Sequence, residues 1–244
     1  MKAQEFYKKI LTLFDEKREK AIDEAIEEYH QDRIENLKAN NTYKNPFSIG
    51  PKVVIHLIPH ESFKNPREFD LAKYCNNYEE IKPLRFDSLD QTFNFEGIIH
   101  LMHDREGNCS SYVQVCRNGV VEAVNSHSFD LDDKIIYSRN VIENIKEGMN
   151  QYMSFQTKIG ISPPIIFYLS FLGVFGFKIP NSPGEWFLDN IHPIEREDLI
   201  LPNMVIDKST ITFEELKPSM DSFWNACGYP NCGEYDKNGA WIKR

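Results

Sequence analysis

The chain has 244 residues, 41% of them hydrophobic and 13% aromatic, which is enough to build a core without disulfides or a metal. Its 28 basic and 37 acidic side chains give a formal net charge of −9, which excludes a globally basic surface that tracks phosphates, so charge gives nucleic-acid binding no support. The five cysteines are an odd number at irregular spacings, which indicates reduced thiols in the cytoplasm instead of a secreted disulfide framework.

The sequence contains no pattern typical of a targeting or membrane segment. Its first twenty residues mix charged and apolar side chains, unlike a signal peptide. The most apolar stretch, 161–180, is interrupted by prolines, glycines and a lysine, so it lacks the roughly 18 continuous apolar residues of a membrane helix. We therefore expect a cytoplasmic protein without membrane contact.

Residues 4–37 predict a long amphipathic helix, because apolar side chains recur three and four residues apart among charges. The apolar face of this arm either packs on the protein's own body or docks a protein partner or another subunit. The Asn-rich stretch 39–50 follows as a linker and contains the predicted domain boundary. We predict an arm and linker at 1–42 and a single globular domain at 43–244. The predicted docking residues of the arm are Phe6, Ile10, Phe14, Ile22 and Ile26.

Residues 52–59 (KVVIHLIP) predict a buried central strand, since they are mostly apolar, partly β-branched and bounded by prolines. His56 and His60 lie four residues apart there, which on a strand separates them by about 13 Å. That separation does not favour a metal site. We predict neither a metal nor a cofactor.

Residues 95–125 predict a three-strand antiparallel meander whose last two strands join at Asn118-Gly119, the strongest short hairpin signal. A two-residue turn there would place Val115 opposite Glu122 and bring Arg117 diagonally beside Glu122. We interpret Arg117 and Glu122 either as a cross-strand ion pair or as a polar anchor for a ligand or nucleic acid. The candidate polar or ligand contacts are Gln114, Arg117 and Tyr112.

The remaining elements complete a predicted α/β (α+β) fold with a largely antiparallel sheet and packed helices. A second helix is expected over 138–158, with Gly160 as its stop, followed by one or two buried strands within 161–180. A strand near Met204 and a short helix after Lys217, with Pro218 in its first turn, close the chain.

The residues leave three classes of function open. No phosphate-binding glycine motif occurs, and we favour a non-catalytic interaction module. The alternative is an enzyme or nucleic-acid-processing module, in which imidazole and carboxylate groups supply acid–base chemistry or metal ligation. Its candidates are His56, His100, His103 and Glu122. A third class, a ligand pocket lined by Tyr112, Trp224 and Tyr229, competes with ordinary core packing of these aromatic rings.

Several segments in the same order carry a family resemblance: GPKVVIHLIP, FNFEG, SSYVQVCRNGVVEAV, PPIIFYLSFLGVFGF, LILP and LKPSMDSFWNACGYPNCGEYDKNGAW. Over residues 30–244 the chain resembles the carboxy-terminal region of bacterial Schlafen-like, AlbA-type DNA-binding and ATP-binding proteins. In that family the binding activity is attributed to an amino-terminal domain, and we expect the helix 4–37 to take the place of that domain here. The resemblance therefore implies an accessory module that works with a separately encoded partner in bacterial defence or regulation.

Overall fold

The computed structural model describes residues 2–43, 46–74, 80–85, 90–180 and 192–243, and it describes residues 2–11 by their backbone alone. An antiparallel sheet of eight strands forms the centre, in the order β10-β8-β1-β5-β4-β3-β2 with β9 paired to β8. The helices are α1 Lys2–Lys38, α2 Glu61–Lys64, α3 Ser138–Lys158 and α4 Phe213–Asn225, with a 3₁₀ helix at Leu71–Tyr74. The strands are β1 Lys52–Pro59, β2 Asp90–Phe93, β3 Gly97–His103, β4 Cys109–Cys116, β5 Val121–Asn125, β6 Phe129–Asp130, β7 Ile135–Ile136, β8 Ile165–Leu172, β9 Leu199–Ile200 and β10 Met204–Ile206. The predicted α+β fold is thus confirmed.

Local sequence signals place most of these elements correctly. The predicted central strand coincides with β1, and the predicted second helix coincides with α3. Gly160 adopts φ +91° after α3, and its backbone N–H donates to the carbonyl of Thr157 at 3.0 Å. This left-handed glycine satisfies a terminal carbonyl and ends the helix, as expected.

The last helix, α4, begins earlier than predicted. Its N-cap is Thr212, whose side chain accepts from the backbone N–H of Glu215, while the Glu215 carboxylate accepts from the backbone N–H of Thr212. This capping box sets the start of the helix at Phe213. Pro218 therefore lies inside α4, and the prediction that it occupies the first turn was wrong.

The hairpin between β4 and β5 forms where predicted, but its register differs by one residue. Gly119, with φ +89°, donates to the carbonyl of Cys116 at 2.8 Å, and Cys116 N–H donates to the carbonyl of Val120 at 2.8 Å. The loop therefore has three residues, with glycine as the left-handed bulge residue. Glu122 lies opposite Gln114, not Val115. The predicted two-residue turn was wrong, and a one-residue shift moves side chains to the other face.

The two faces of the sheet are covered by different helices. One face, with Val53, Ile55 and Leu57 of β1, forms the main hydrophobic core with α3 and α4. Phe171 of β8 stacks there on Phe223 of α4 with ring centroids 4.1 Å apart. The other face lies beneath α1 and carries two smaller apolar clusters. The candidate site described below lies on this second face.

Only part of α1 packs on the sheet. Ile22 and Ile26 contact the apolar cluster that includes Ile58, Val120 and Ile166, and further along the helix Ile34 and Leu37 join the cluster around Tyr112. Residues 12–18, in contrast, are all exposed, including Leu13 and Phe14. The helix thus has an anchored segment, residues 22–37, and a projecting segment, residues 12–18.

Candidate functional site

A group of polar side chains is buried between α1 and the sheet, and we call it the helix–sheet cluster: His30, Arg33, His56, Tyr112 and Glu122. Its centre is the carboxylate of Glu122, a residue with 0% exposure. Arg33 donates to it from Nε and Nη2, both at 2.8 Å. Tyr112 donates from its hydroxyl at 2.6 Å, and His56 Nε2 lies 2.8 Å away. Burial of this charge is therefore balanced by a bidentate guanidinium and by further hydrogen bonds.

The two histidines extend the cluster from the sheet into the helix. An ionised carboxylate accepts only, so His56 carries a proton on Nε2 and donates it to Glu122. His30 Nδ1 and His56 Nδ1 lie 2.8 Å apart, and with His56 singly protonated the donor of this bond is His30. His30 Nε2 then has no hydrogen-bond partner among the described residues. The His30 ring instead stacks on Tyr168, with centroids 3.9 Å apart.

Aromatic and sulfur groups close the cluster on the side of β4. The Arg33 guanidinium carbon lies 4.2 Å from the ring centroid of Tyr43, and the Tyr43 hydroxyl donates to Glu96. Cys116 Sγ lies 3.8 Å from the Tyr43 hydroxyl and 3.9 Å from the Tyr29 hydroxyl. Arg33 is thus shielded by an aromatic ring, which leaves its side chain 12% exposed.

The pKa directions follow from this burial and pairing. Burial alone would raise the pKa of Glu122, but hydrogen bonds from Arg33 and His56 outweigh it and hold the pKa well below its ordinary value. Burial lowers the pKa of His30 to about 3, with a smaller contribution from neighbouring His56. Burial also raises the pKa of Cys116 to about 12. The cluster is therefore an ionised Arg33–Glu122 pair beside a neutral His30 and an inert thiol.

Strand alternation brings the sheet residues together. Position 56 of β1 lies directly opposite position 122 of β5 and position 168 of β8, so His56, Glu122 and Tyr168 share one face. The helix residues were missed by the sequence analysis, because Arg33 stands in a segment of mixed charge. One signal for His30 existed: it falls on the stripe of buried positions formed by Ile22, Ile26, His30, Ile34 and Leu37.

The predicted enzyme candidates divide into two groups. His56 and Glu122 come within hydrogen-bond distance, whereas His100 lies opposite Val113, on the face that packs against α3. His103 lies at the end of β3, three strands away from β1 in the sheet order. The four residues therefore do not form one site.

The candidate ligand contacts also separate. Tyr112 and Gln114 are both 0% exposed, and Gln114 hydrogen-bonds to Asn94. The predicted ion pair between Arg117 and Glu122 does not form. The Nε of Arg117 donates to the carbonyl of Phe95 at 3.3 Å, and Glu122 is paired with Arg33. Arg117 instead lines a surface pocket of about 430 Å³, together with Tyr29, Glu68, Phe95, Glu96, Cys116 and Asn118.

The proposed aromatic pocket is not assembled. Trp224 and Tyr229 lie close together, with ring centroids 5.1 Å apart, in the core formed with α3 and α4. Tyr112 belongs to the cluster on the opposite face of the sheet. The interpretation as a shared pocket was therefore wrong, since the sheet stands between these rings.

The arm residues named in the sequence analysis have different positions. Ile22 and Ile26 are buried in the chain's own core, whereas Phe14 is 67% exposed on the projecting segment. The side chains of Phe6 and Ile10 lie outside the described residues. Among the described residues, no three His, Cys, Asp or Glu side chains are grouped to hold a metal ion. No helix in the described part of the chain has the length and apolarity needed to cross a membrane.

Comparison with known proteins gave no relatives: no protein-family model, no curated protein and no solved structure matches this chain. The geometry of the helix–sheet cluster limits its chemistry. Its groups could relay a proton, but His30, His56 and Glu122 are all 0% exposed, so no substrate reaches them in this arrangement. What the arrangement does is fix α1 to the sheet.

Proposed function

We propose that this protein is a non-catalytic interaction module, a subunit of a larger assembly in which the projecting segment of α1 is the docking element. The observation that carries this proposal is the contrast within one helix. Residues 12–18 are all exposed, with Leu13 49% and Phe14 67% accessible, while residues 22–37 are held by apolar contacts and by the helix–sheet cluster. Adjacent large apolar side chains on an exposed helix are typical of a protein-binding face.

The anchored segment gives the projecting segment a defined direction. The Arg33–Glu122 pair and the His30–His56 bond connect α1 to β5 and β1. Further towards the N-terminus, Arg18 donates to the carbonyl of Lys64 at 3.2 Å, and Lys64 pairs with Glu19 at 2.6 Å. A helix fixed in this way presents its apolar residues with little loss of conformational entropy on binding.

The biological setting is part of the same proposal. The resemblance to the accessory region of Schlafen-like, AlbA-type proteins favours a cytoplasmic subunit in bacterial defence or in regulation linked to nucleic acids. In such a setting the module would act with a separately encoded protein. Its charge of −9 favours contact with that protein over direct contact with nucleic acid.

The test is the size of the particle that contains the protein in native cell extract. We expect the full chain to elute from gel filtration as a particle larger than the 28.5 kDa monomer, and Leu13→Asp/Phe14→Asp to elute as a monomer. Ile49→Asp, the same kind of change at an exposed apolar residue outside α1, is the matched control and keeps the larger particle. Equal elution of the wild type and the Asp variant would refute the proposal.

One observation favours the alternative, a nucleic-acid-processing enzyme: His56 Nε2 and Glu122 Oε2 are 2.8 Å apart, a spacing suited to acid–base chemistry. Their burial requires α1 to lift before any substrate could enter. The test is cleavage of DNA or RNA by the wild-type protein with added Mg²⁺ or Mn²⁺. Cleavage that is lost in a folded Glu122→Gln variant would support this alternative. No cleavage by the wild-type protein would exclude it for these substrates.

A further inference from the structure

We infer that the projecting segment pairs with a second copy of this chain, so that two α1 helices run antiparallel across a two-fold axis. This inference rests on the proposed function, since both need the segment to bind protein, and it names the partner. The distribution of charge and of apolar surface along α1 suits such a pair.

The two ends of the relevant stretch carry opposite charge. In the sequence, residues 2–9 hold three lysines and one glutamate, whereas residues 21–28 hold four acidic and no basic residues. Three of the four acidic side chains are exposed: Asp23 and Glu24 have 70% and 67% of their side-chain surface exposed, and Glu28 is exposed as well. The fourth, Glu27, accepts a hydrogen bond from the hydroxyl of Tyr168 in β8 at 2.9 Å. The acidic stretch is thus open to a second helix.

Antiparallel pairing matches these charges. When residues 2–28 of two copies overlap fully, residues 2–9 of each helix lie beside residues 21–28 of the other, over a length of about 40 Å. The basic end then meets the acidic stretch twice, because a two-fold interface repeats every contact. Parallel pairing would place like charges together, which is unfavourable.

The exposed apolar residues lie where such a pair would cross. Leu13 and Phe14 are within one helical turn of the midpoint of residues 2–28, and they are exposed by 49% and 67%. An interface of this kind needs apolar contacts near its centre and polar contacts at its rim. The order of residues along α1 meets both needs with another copy of itself.

The test uses the purified 244-residue chain and two sets of charge reversals. Lys8→Glu/Lys9→Glu makes both stretches negative, and Asp23→Lys/Glu24→Lys/Glu28→Lys makes both positive. We expect a wild-type dimer in sedimentation velocity, weakened by high salt, and roughly tenfold weaker association of each variant alone, since several exposed charge pairs are reversed. We expect an equimolar mixture of the two variants to form a heterodimer again, which native mass spectrometry identifies by mass.

Three other outcomes would overturn the antiparallel dimer. A wild-type protein that stays monomeric at all concentrations overturns this inference. If its particle in extract still depends on Leu13 and Phe14, the proposed function stands and the partner is another protein. A wild-type dimer that neither charge reversal weakens, or a mixture that forms no heterodimer, also overturns the antiparallel pairing. Circular dichroism of each variant shows that loss of association is not loss of folding.

Discussion

Arg33 and Glu122 form a bidentate ion pair across 89 residues of sequence, with Nε and Nη2 each 2.8 Å from a carboxylate oxygen. This pair connects the middle of α1 to β5 inside the protein, between two apolar clusters on the same face of the sheet. The pair holds the anchored segment against the sheet, and its contribution to the free energy of unfolding can be measured.

Removal of the positive partner should be costly. We expect Arg33→Met to lower the free energy of unfolding by about 3–5 kcal/mol, because Glu122 would stay buried without its counter-charge. Lys17→Met, an exposed change in the same helix, should alter it by less than about 0.5 kcal/mol. Urea unfolding of Arg33→Met, Glu122→Leu and the double variant measures the coupling. Strictly additive effects would show that the pair does not act as a unit.

Acid should destabilise the fold through its buried neutral histidines. Burial lowers the pKa of His30 to about 3 and that of His100 to about 4, against an ordinary value of 6.5. The unfolded chain therefore binds more protons below pH 6.5, so stability falls as pH drops from about 6.5 towards 4 and, for His30, further towards 3. The slope is at most about 1.4 kcal/mol per pH unit for each histidine.

The His30 contribution to this slope can be isolated. His30→Phe keeps an aromatic ring beside Tyr168 and removes the titrating group, so it should flatten the decline in stability between pH 6.5 and 4 relative to the wild type. Unfolding free energies from urea titrations across that range provide the measurement. The same slope in His30→Phe and wild type would show that His30 does not titrate in this way.

Two glycines with the same backbone conformation should respond differently to alanine. Gly107 and Gly119 have φ of +88° and +89°, but a Cβ at Gly107 meets nothing within 4 Å. A Cβ at Gly119 would lie 2.0 Å from Cδ1 of Ile161, a buried side chain. Gly107→Ala should cost about 1 kcal/mol from backbone strain, and Gly119→Ala about 1–3 kcal/mol more from overpacking. Equal thermal stability of both variants would contradict the close packing of Gly119 against Ile161.

Thiol labelling should be slow in the native protein. Cys109, Cys116, Cys227 and Cys232 are buried, and burial raises the pKa of Cys227 to about 11 and that of Cys232 to about 12. A thiol-specific chromogenic reagent should therefore find no more than one of the five cysteines in a rapid phase at neutral pH, and all five in urea. Two or more rapid thiols in the native protein would show that one of these four sites opens.

Local sequence was sufficient for the elements whose signals are local. The bounds of β1 and α3 follow from an apolar run between prolines and from helical spacing ended by Gly160. Local sequence does not determine the length of the hairpin loop, because Asn-Gly fits both a two-residue turn and a three-residue loop. Packing of Gly119 against Ile161 and Phe69 accompanies the loop that forms. A one-residue shift in register then decides which side chains share a face.

By itself the sequence determined an α+β fold with a long amphipathic helix, a meander and a central strand, because each of these is encoded in spacings of a few residues. It also marked His56 and Glu122 as polar residues on apolar strands. Only the tertiary structure decided that these two share one site, and that Arg33 and His30 complete it from 89 and 26 residues away. Pairing over such distances depends on register and on helix placement, which no local pattern carries.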